Sequence, residues 1–235
     1  MNGEPRLYRV DRLALTFEPK PWEFALQRRA EIEANFETMR RAKPALYNGR
    51  VLLMHRHEVR DGVFRGAFLE TDYASFAAWI QWRWPAAGVH DCFGTAAMLA
   101  ADGAFLLGEM GPHTFNARQI YFPCGTPGPE DIVDGKVDFD FSVRRELTEE
   151  TGLDAAEFTA EPGWTIARDG ALIVAIKVLR SPLDAERLRA RILNWLARER
   201  EPELAGIRIV RGPDDFDPNM RRFVTAFLAQ RFAGR

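Results

Sequence analysis

The chain has 235 residues, 46% of them hydrophobic, with 32 basic against 34 acidic side chains and a sequence pI near 6.1. That is enough apolar material for a full core, as one large domain or one domain with an extension, and it excludes general disorder; the balanced charge leaves no field to draw in a nucleic acid polymer. Residues 1–12 are charged and polar with no apolar stretch of signal length, no later run approaches a membrane span, and Cys92 and Cys124 have neither disulfide-framework nor zinc spacing, so a soluble cytoplasmic chain is expected.

Residues 6–18 read as a strand. Pro19 to Pro21 lead into an amphipathic helix over 22–41, whose apolar side uses Ala25, Ile32, Phe36 and Met39 before Pro44 stops it. Residues 51–59 and 63–70 read as paired strands around an Asp61-Gly62 turn. Asp72 can cap a helix that carries Tyr73, Phe76, Trp79 and Ile80 and ends before Pro85, and a domain boundary is expected at Gly88. A hairpin over 94–99 and 105–108, turning at 101–103, and a strand at 119–122 then deliver the chain to Pro123-Cys124-Gly125. After the helix described next come a strand over 171–179, apolar enough to be central, and a helix opened by Ser181-Pro182 that runs to about residue 200. A strand at 207–210 and a closing helix at 219–232 complete the reading.

The most informative stretch is 145–153, Arg-Glu-Leu-Thr-Glu-Glu-Thr-Gly-Leu. On a helix Glu146, Glu149 and Glu150 stand at i, i+3 and i+4, so their carboxylates project from one narrow face and repel each other unless something positive lies between them. Oxygen-only ligands on a rigid element suit Mg²⁺ or Mn²⁺. Arg145 can pair with Glu149, Val143 and Leu147 supply a separate apolar stripe, and Gly152 suits the left-handed position that ends a helix. The alternative, an exposed acidic helix with charge pairs, does not call for Gly152 and Leu153 in register.

The same stretch resembles the second half of the Nudix box, Arg-Glu-aliphatic-x-Glu-Glu-x-Gly-aliphatic, at all seven specified positions: Arg145, Glu146, Leu147, Glu149, Glu150, Gly152 and Leu153. The first half departs, because the family's first glutamate falls on Val137 and its glycine on Asp131, with Asp138, Asp140 or Glu130 as substitutes for that glutamate. The resemblance implies a Nudix α/β/α sandwich with a mixed sheet over residues 89–235, and leaves residues 1–88 as an N-terminal α+β extension. It implies Glu146, Glu149 and Glu150 as metal ligands, Arg145 and Gly152 as support, and a further acid from the loop before the last core strand. Glu201 and Glu203 lie there, and Glu203 is favoured as the nearer. The implied reaction is hydrolysis, with Mg²⁺ or Mn²⁺ as cofactor, of a nucleoside diphosphate linked to another moiety. Catalytic roles fall on Glu149, Glu150 and Glu203, with the proton acceptor left open between a box carboxylate and the loop glutamate.

The helix bearing Tyr73 and Phe76, with the Pro-rich loop 123–129, is loosely similar to Nudix enzymes acting on UDP-glucose and related UDP-sugars; a dinucleotide or a CoA ester is the alternative substrate. Tyr73, Trp79 and Trp82 are suited to pack on a base or sugar, against the reading of Trp79, Trp82 and Trp84 as core. Residues 1–88 are accordingly expected to wall the substrate pocket. His113 and Arg118 are candidates where substrate phosphates pass. His55 and His57, two apart on a strand, would share a face but lack a third metal ligand, and Arg28, Arg29, Arg40, Arg41 and Lys43 describe a solvated helix face. Two rivals keep the same fold. One is a nucleotide-sensing domain without turnover; the other is a diphosphate isomerase, for which Cys92 or Cys124 would have to supply the thiol.

Overall fold

The computed structural model describes residues 3–234. In chain order these form β1 (Arg6–Val10), β2 (Arg12–Phe17), α1 (Glu23–Gln27), α2 (Arg29–Ala42), β3 (Arg50–Arg60), β4 (Val63–Asp72) and α3 (Tyr73–Gln81). Then follow β5 (Asp91–Leu99), β6 (Phe105–Met110), β7 (Ile120–Tyr121), β8 (Ile132–Val133), β9 (Lys136–Val137) and α4 (Phe139–Thr151). The last elements are β10 (Thr159–Ala160), β11 (Trp164–Asp169), β12 (Leu172–Arg180), α5 (Ala185–Leu196), β13 (Leu204–Val210) and α6 (Arg222–Ala233). The class is α+β, as expected. Among the described residues no helix is long and apolar enough to cross a membrane.

Two compact units divide the chain, one of Met1–Asp11, Phe93–Gly125 and Phe139–Arg235, the other of Arg12–Cys92 and Thr126–Asp138. The sequence reading placed a single cut at Gly88, whereas the units alternate along the chain. The reason is long-range pairing that no local pattern marks: β1 pairs antiparallel with β11, and β9 pairs with β2 through Thr16 and Lys136. The strand expected over 6–18 therefore breaks at Asp11, and its halves join different sheets.

The first unit holds an eight-stranded sheet in the order β1-β11-β12-β5-β6-β13, with β10 on β12 and β7 on β6. Its β1–β11, β11–β12, β5–β6 and β6–β13 ladders are antiparallel. The C-terminal ends of β12 and β5 lie together, because the Ser181 N–H donates to the Leu99 carbonyl at 2.8 Å, so this central pair runs the same way and the sheet is mixed. Every residue of β5 is buried, as a strand covered on both faces requires. Consecutive strand residues point to opposite faces. Phe93 meets Phe223 of α6 at a ring separation of 6.3 Å, while its neighbour Gly94 lies against Val143 and Phe139 of α4. Helix α6 thus covers one face and α4 the other, with α5 beside α4 where Trp195 reaches Gly152, which is the expected α/β/α layering. Phe105, Phe122 and Phe227 form an aromatic cluster on the α6 side.

Three details of this unit differ from the sequence expectation. Asp184, not Ser181, caps α5: its carboxylate accepts from the Arg187 N–H at 2.9 Å, while Ser181 turns its hydroxyl oxygen to the Leu183 N–H, and the helix ends at Leu196. Strands β10 and β11 were not anticipated. Helix α6 begins only at Arg222 because residues 219–221 lie along β7, with the Ile120 N–H donating to the Asn219 carbonyl at 3.0 Å and the Arg221 N–H donating to Ile120 at 3.3 Å.

The second unit has a five-stranded mixed sheet, β3-β4-β2-β9-β8, with β2 parallel to β4 and the other ladders antiparallel. The β3–β4 hairpin turns at Asp61 and Gly62, both with positive φ, the pairing a two-residue hairpin favours. The helix expected over 22–41 is interrupted at Arg28 into α1 and α2, and buries Ala25, Ile32 and Phe36, while Met39 is only half-buried. Asp72 caps α3 as expected, accepting from the Ser75 N–H at 2.8 Å. The small β8–β9 hairpin was not foreseen.

Candidate functional site

Helix α4 carries its carboxylates unevenly. Glu146 and Glu150 share the buried face with Ser142, Val143 and Leu147, and Glu149 points to solvent. Glu150 is only 4% exposed; its Oε1 accepts from the Cys124 N–H at 3.0 Å, and its Oε2 has no hydrogen-bond partner among the described residues. Burial first, then the neighbouring carboxylates of Glu146, Glu203 and Glu149, push the Glu150 carboxyl well above the usual carboxylate range, against the opposing Cys124 N–H. Arg145 Nη1 lies 2.8 Å from Glu146 Oε1 and 3.0 Å from Glu149 Oε2, so the positive charge between those two carboxylates is a guanidinium of the same helix. Among the described residues no group of three or more His, Cys, Asp or Glu side chains is gathered so as to hold a metal ion.

The loop after β7 fits closely around this helix. A Cβ on Gly125 would stand 2.3 Å from Glu146 Oε1, so a larger residue there would require that carboxylate to shift. Gly152 takes φ +66°, its N–H donates to the Thr148 carbonyl at 2.8 Å, and a Cβ there would meet the Trp195 ring at 2.2 Å. The residue ends the helix and lets α5 approach.

The loop between β6 and β7 and the start of β13 complete the surroundings. The Gly111 N–H donates to the Glu203 carbonyl at 2.7 Å, and the His113 ring lies against Gly111. Of the two loop acids, Glu203 is therefore the one brought to the carboxylates of α4, where its charge acts on Glu150. Arg118 is exposed in the same loop with φ +66°, its N–H donating to the Met110 carbonyl. Sequence reasoning missed Asn116, Tyr121 and Arg221. Tyr121 is buried close to Cys124 and Glu150, its hydroxyl accepts from Asn116 Nδ2 at 3.2 Å, and Asn116 Oδ1 accepts from Arg221 Nη2 at 2.9 Å. Burial raises the Tyr121 phenol far above its ordinary range. No motif marks these three; the only local signal was their closeness in sequence to Arg118 or to the last helix.

The other candidates belong to the second unit. Trp79 is 1% exposed, donates its indole N–H to the Pro85 carbonyl at 2.9 Å, and packs edge-on against Trp22 and Trp84. Its ring is committed to the core of that unit, which corrects the expectation that it packs on a base or sugar. Tyr73 is half-buried against Phe76, and burial raises its phenol pKa. Trp82 carries the Arg28 guanidinium 4.0 Å over its ring. His55 is the extra residue of a bulge in β3 and lies 3.3 Å from Glu18, while His57 stacks on Phe64 and meets His90 edge-on. The two histidines serve separate neighbours rather than one ligand face. Val137 is buried in β9 opposite Ile132. Asp131 is buried and accepts from the Gly128 N–H at 2.9 Å. Cys92 is buried with its thiol pKa pushed well up by that burial, the opposite of a reactive cysteine.

No protein-family model matches the chain, and no curated protein matches it. Solved structures do. A Nudix hydrolase from M. smegmatis, RenU, is 15% identical, covering 62% of this chain and 85% of its own at a TM-score of 0.37. A MutT protein from Methanosarcina mazei Go1 is 16% identical, covering 62% of this chain and 94% of its own at a TM-score of 0.41. A Nudix hydrolase from Nitrosomonas europaea is 16% identical, covering 52% and 72% at a TM-score of 0.33.

Proposed function

We propose that this chain, which resembles Nudix hydrolases in residues 145–153, hydrolyses a nucleoside diphosphate linked to a second moiety with the help of a divalent cation. The observation that carries the reading is Glu150: a buried carboxyl with one oxygen unmatched, surrounded by the charge of Glu146, Glu149 and Glu203. An unmatched buried polar oxygen costs about 1–3 kcal/mol, and like charges add to it. A hard cation relieves both, and carboxylate oxygens on a rigid helix are the donors that Mg²⁺ or Mn²⁺ take, so the donor chemistry fits such an ion, although the side chains of the described residues are not gathered around one point. Glu146, Glu149 and Glu150 would hold it, in competition with Arg145 for the first two. When bound, the ion supplies neutralisation of the diphosphate charge and a more acidic water.

The remaining work falls to side chains of the chain itself. Glu203 stands outside the helix yet acts on Glu150, which suits it to accept a proton from the attacking water or to serve as a further ligand. His113 and Arg118, on the loop beside it, are suited to the phosphates. We assign the substrate to the small-molecule nucleotides, with a UDP-sugar as the leading member and a dinucleotide or CoA ester behind it, and the enzyme to the cytoplasm. Selectivity for the distal moiety calls for side chains beyond the metal helix, because that helix alone recognises only the diphosphate.

The test is a panel of nucleotide diphosphate compounds assayed for new phosphomonoester with Mg²⁺, with Mn²⁺ and with EDTA. Metal-dependent release from at least one compound is expected, and no release from any would overturn the reading. A second reading, a nucleotide-sensing domain, is favoured by Arg145 pairing with both Glu146 and Glu149. Calorimetric binding of the same compounds without turnover would establish it instead.

A further inference from the structure

Arg221 differs from the other half-buried arginines of the first unit, Arg145 and Arg231. It is half-buried, and among the described residues its guanidinium makes one hydrogen bond, to Asn116 Oδ1 at 2.9 Å, and no ion pair. Arg145, Arg180, Arg191, Arg208 and Arg231 all face carboxylates. A guanidinium has five N–H donors, and holding it partly out of water without a counter-charge is unfavourable. Its position is nonetheless built: the Ile120 N–H donates to the Asn219 carbonyl and the Arg221 N–H to the Ile120 carbonyl, so residues 219–221 are fixed alongside β7, which carries Tyr121.

Asn116 links the two side chains. Its Oδ1 is taken by Arg221, so its Nδ2 donates to the Tyr121 hydroxyl at 3.2 Å. A hydroxyl that accepts from the amide keeps its own hydrogen for another acceptor, and Tyr121 is near enough to Glu150 to feel its charge. We infer that Arg221, with Asn116 and Tyr121, receives a phosphoryl oxygen of a diphosphate ligand beside Glu150. This deepens the hydrolase reading and rests on it for the identity of the ligand. Guanidinium N–H groups and the phenolic hydrogen are the donors. Arg221 and Tyr121 therefore set affinity for the diphosphate, and Asn116 is a positioning residue that holds both.

Inorganic pyrophosphate is the probe, titrated calorimetrically into the full chain in EDTA, so that the outcome does not depend on metal or turnover. The natural protein is expected to bind it. Arg221→Met should weaken binding by roughly tenfold or more, and Arg221→Lys should recover part of the loss because a point charge replaces a bidentate fork. Tyr121→Phe should weaken it severalfold, and circular dichroism melts report whether each variant is folded. If Arg221→Met does not fold, Arg221→Lys and Tyr121→Phe still decide. No pyrophosphate binding to the natural protein, or equal affinity in the folded variants, would overturn the inference. With a hydrolysed substrate in hand, Arg221→Lys should raise KM more than it lowers kcat. Pyrophosphate binding that depends on Arg221, in a protein that hydrolyses nothing with Mg²⁺ or Mn²⁺, would sustain this inference while removing the hydrolase reading; hydrolysis indifferent to Arg221 would do the reverse.

Discussion

Replacing Glu150 by Gln keeps the size of the side chain and the acceptor for the Cys124 N–H, and removes an anion from a place that is 4% exposed and crowded by Glu146, Glu203 and Glu149. The folded-state pKa of Glu150 is raised, so the neutral carboxyl contributes its stability fully below the unfolded value of about 4.3, and that contribution is lost as pH rises through the folded pKa. Without metal, Glu150→Gln should therefore melt higher than the natural protein, by a margin that widens from about pH 5 to about pH 8. An unmatched buried oxygen costs about 1–3 kcal/mol; the glutamine leaves an unmatched amide of smaller cost, so a net gain of about 1–2 kcal/mol is expected at the higher pH. For a chain of this length that corresponds to about 2–8 °C in Tm. Mg²⁺ should raise the Tm of the natural protein and do little for the variant, and metal-dependent hydrolysis should vanish in it. Thermal melts in EDTA and in Mg²⁺ at the two pH values, with the hydrolysis assay, test each step. A variant that melts lower at the higher pH, or that retains full activity, would refute the reasoning.

Glu203→Gln should lower the hydrolysis rate by about a hundredfold with an unchanged melt, as expected for a ligand or proton acceptor; unchanged kinetics would hand the role to Glu201 or to no loop acid. Val137→Glu should lower stability by several kcal/mol, order of magnitude, because it puts a carboxylate on a buried strand position, and should not create activity; a rise in hydrolysis from nothing to a normal rate would mark the natural protein as a binding domain. Trp79→Ala should cost about 3–5 kcal/mol in the denaturant midpoint analysis, with no preference among substrates, as loss of a core indole predicts. Tyr73→Ala is the test of a substrate role for the N-terminal part: KM for a UDP-sugar should rise more than for a dinucleotide, and equal losses that follow stability would make Tyr73 scaffold.

The features legible in the sequence were those written in neighbouring residues. The i, i+3, i+4 spacing placed Glu146, Glu149 and Glu150 on one helix, Gly152 ended it, and Asp61-Gly62 and Asp72 fixed a hairpin and a cap, because each depends on backbone geometry within one turn. Which of the three carboxylates would be buried was not written there. That followed from the sheet and loop that α4 packs against, which cover Glu146 and Glu150, leave Glu149 in water, and bring Glu203 from more than fifty positions away. The helix itself supplies Arg145 as the cation between Glu146 and Glu149, although the spacing alone would as readily invite a metal. The division of the chain was likewise decided by tertiary pairing: β1 finds β11 and β9 finds β2, so one apparent strand over 6–18 serves two sheets. Trp79 reads the same in sequence whether it fills a core or binds a ring, and only its burial and its bond to Pro85 settled the matter. Local spacing fixes which groups share an element; burial and the meeting of Asn116, Tyr121 and Arg221 with Glu150 arise from contacts between segments far apart in the chain, whose energy no short window of sequence contains.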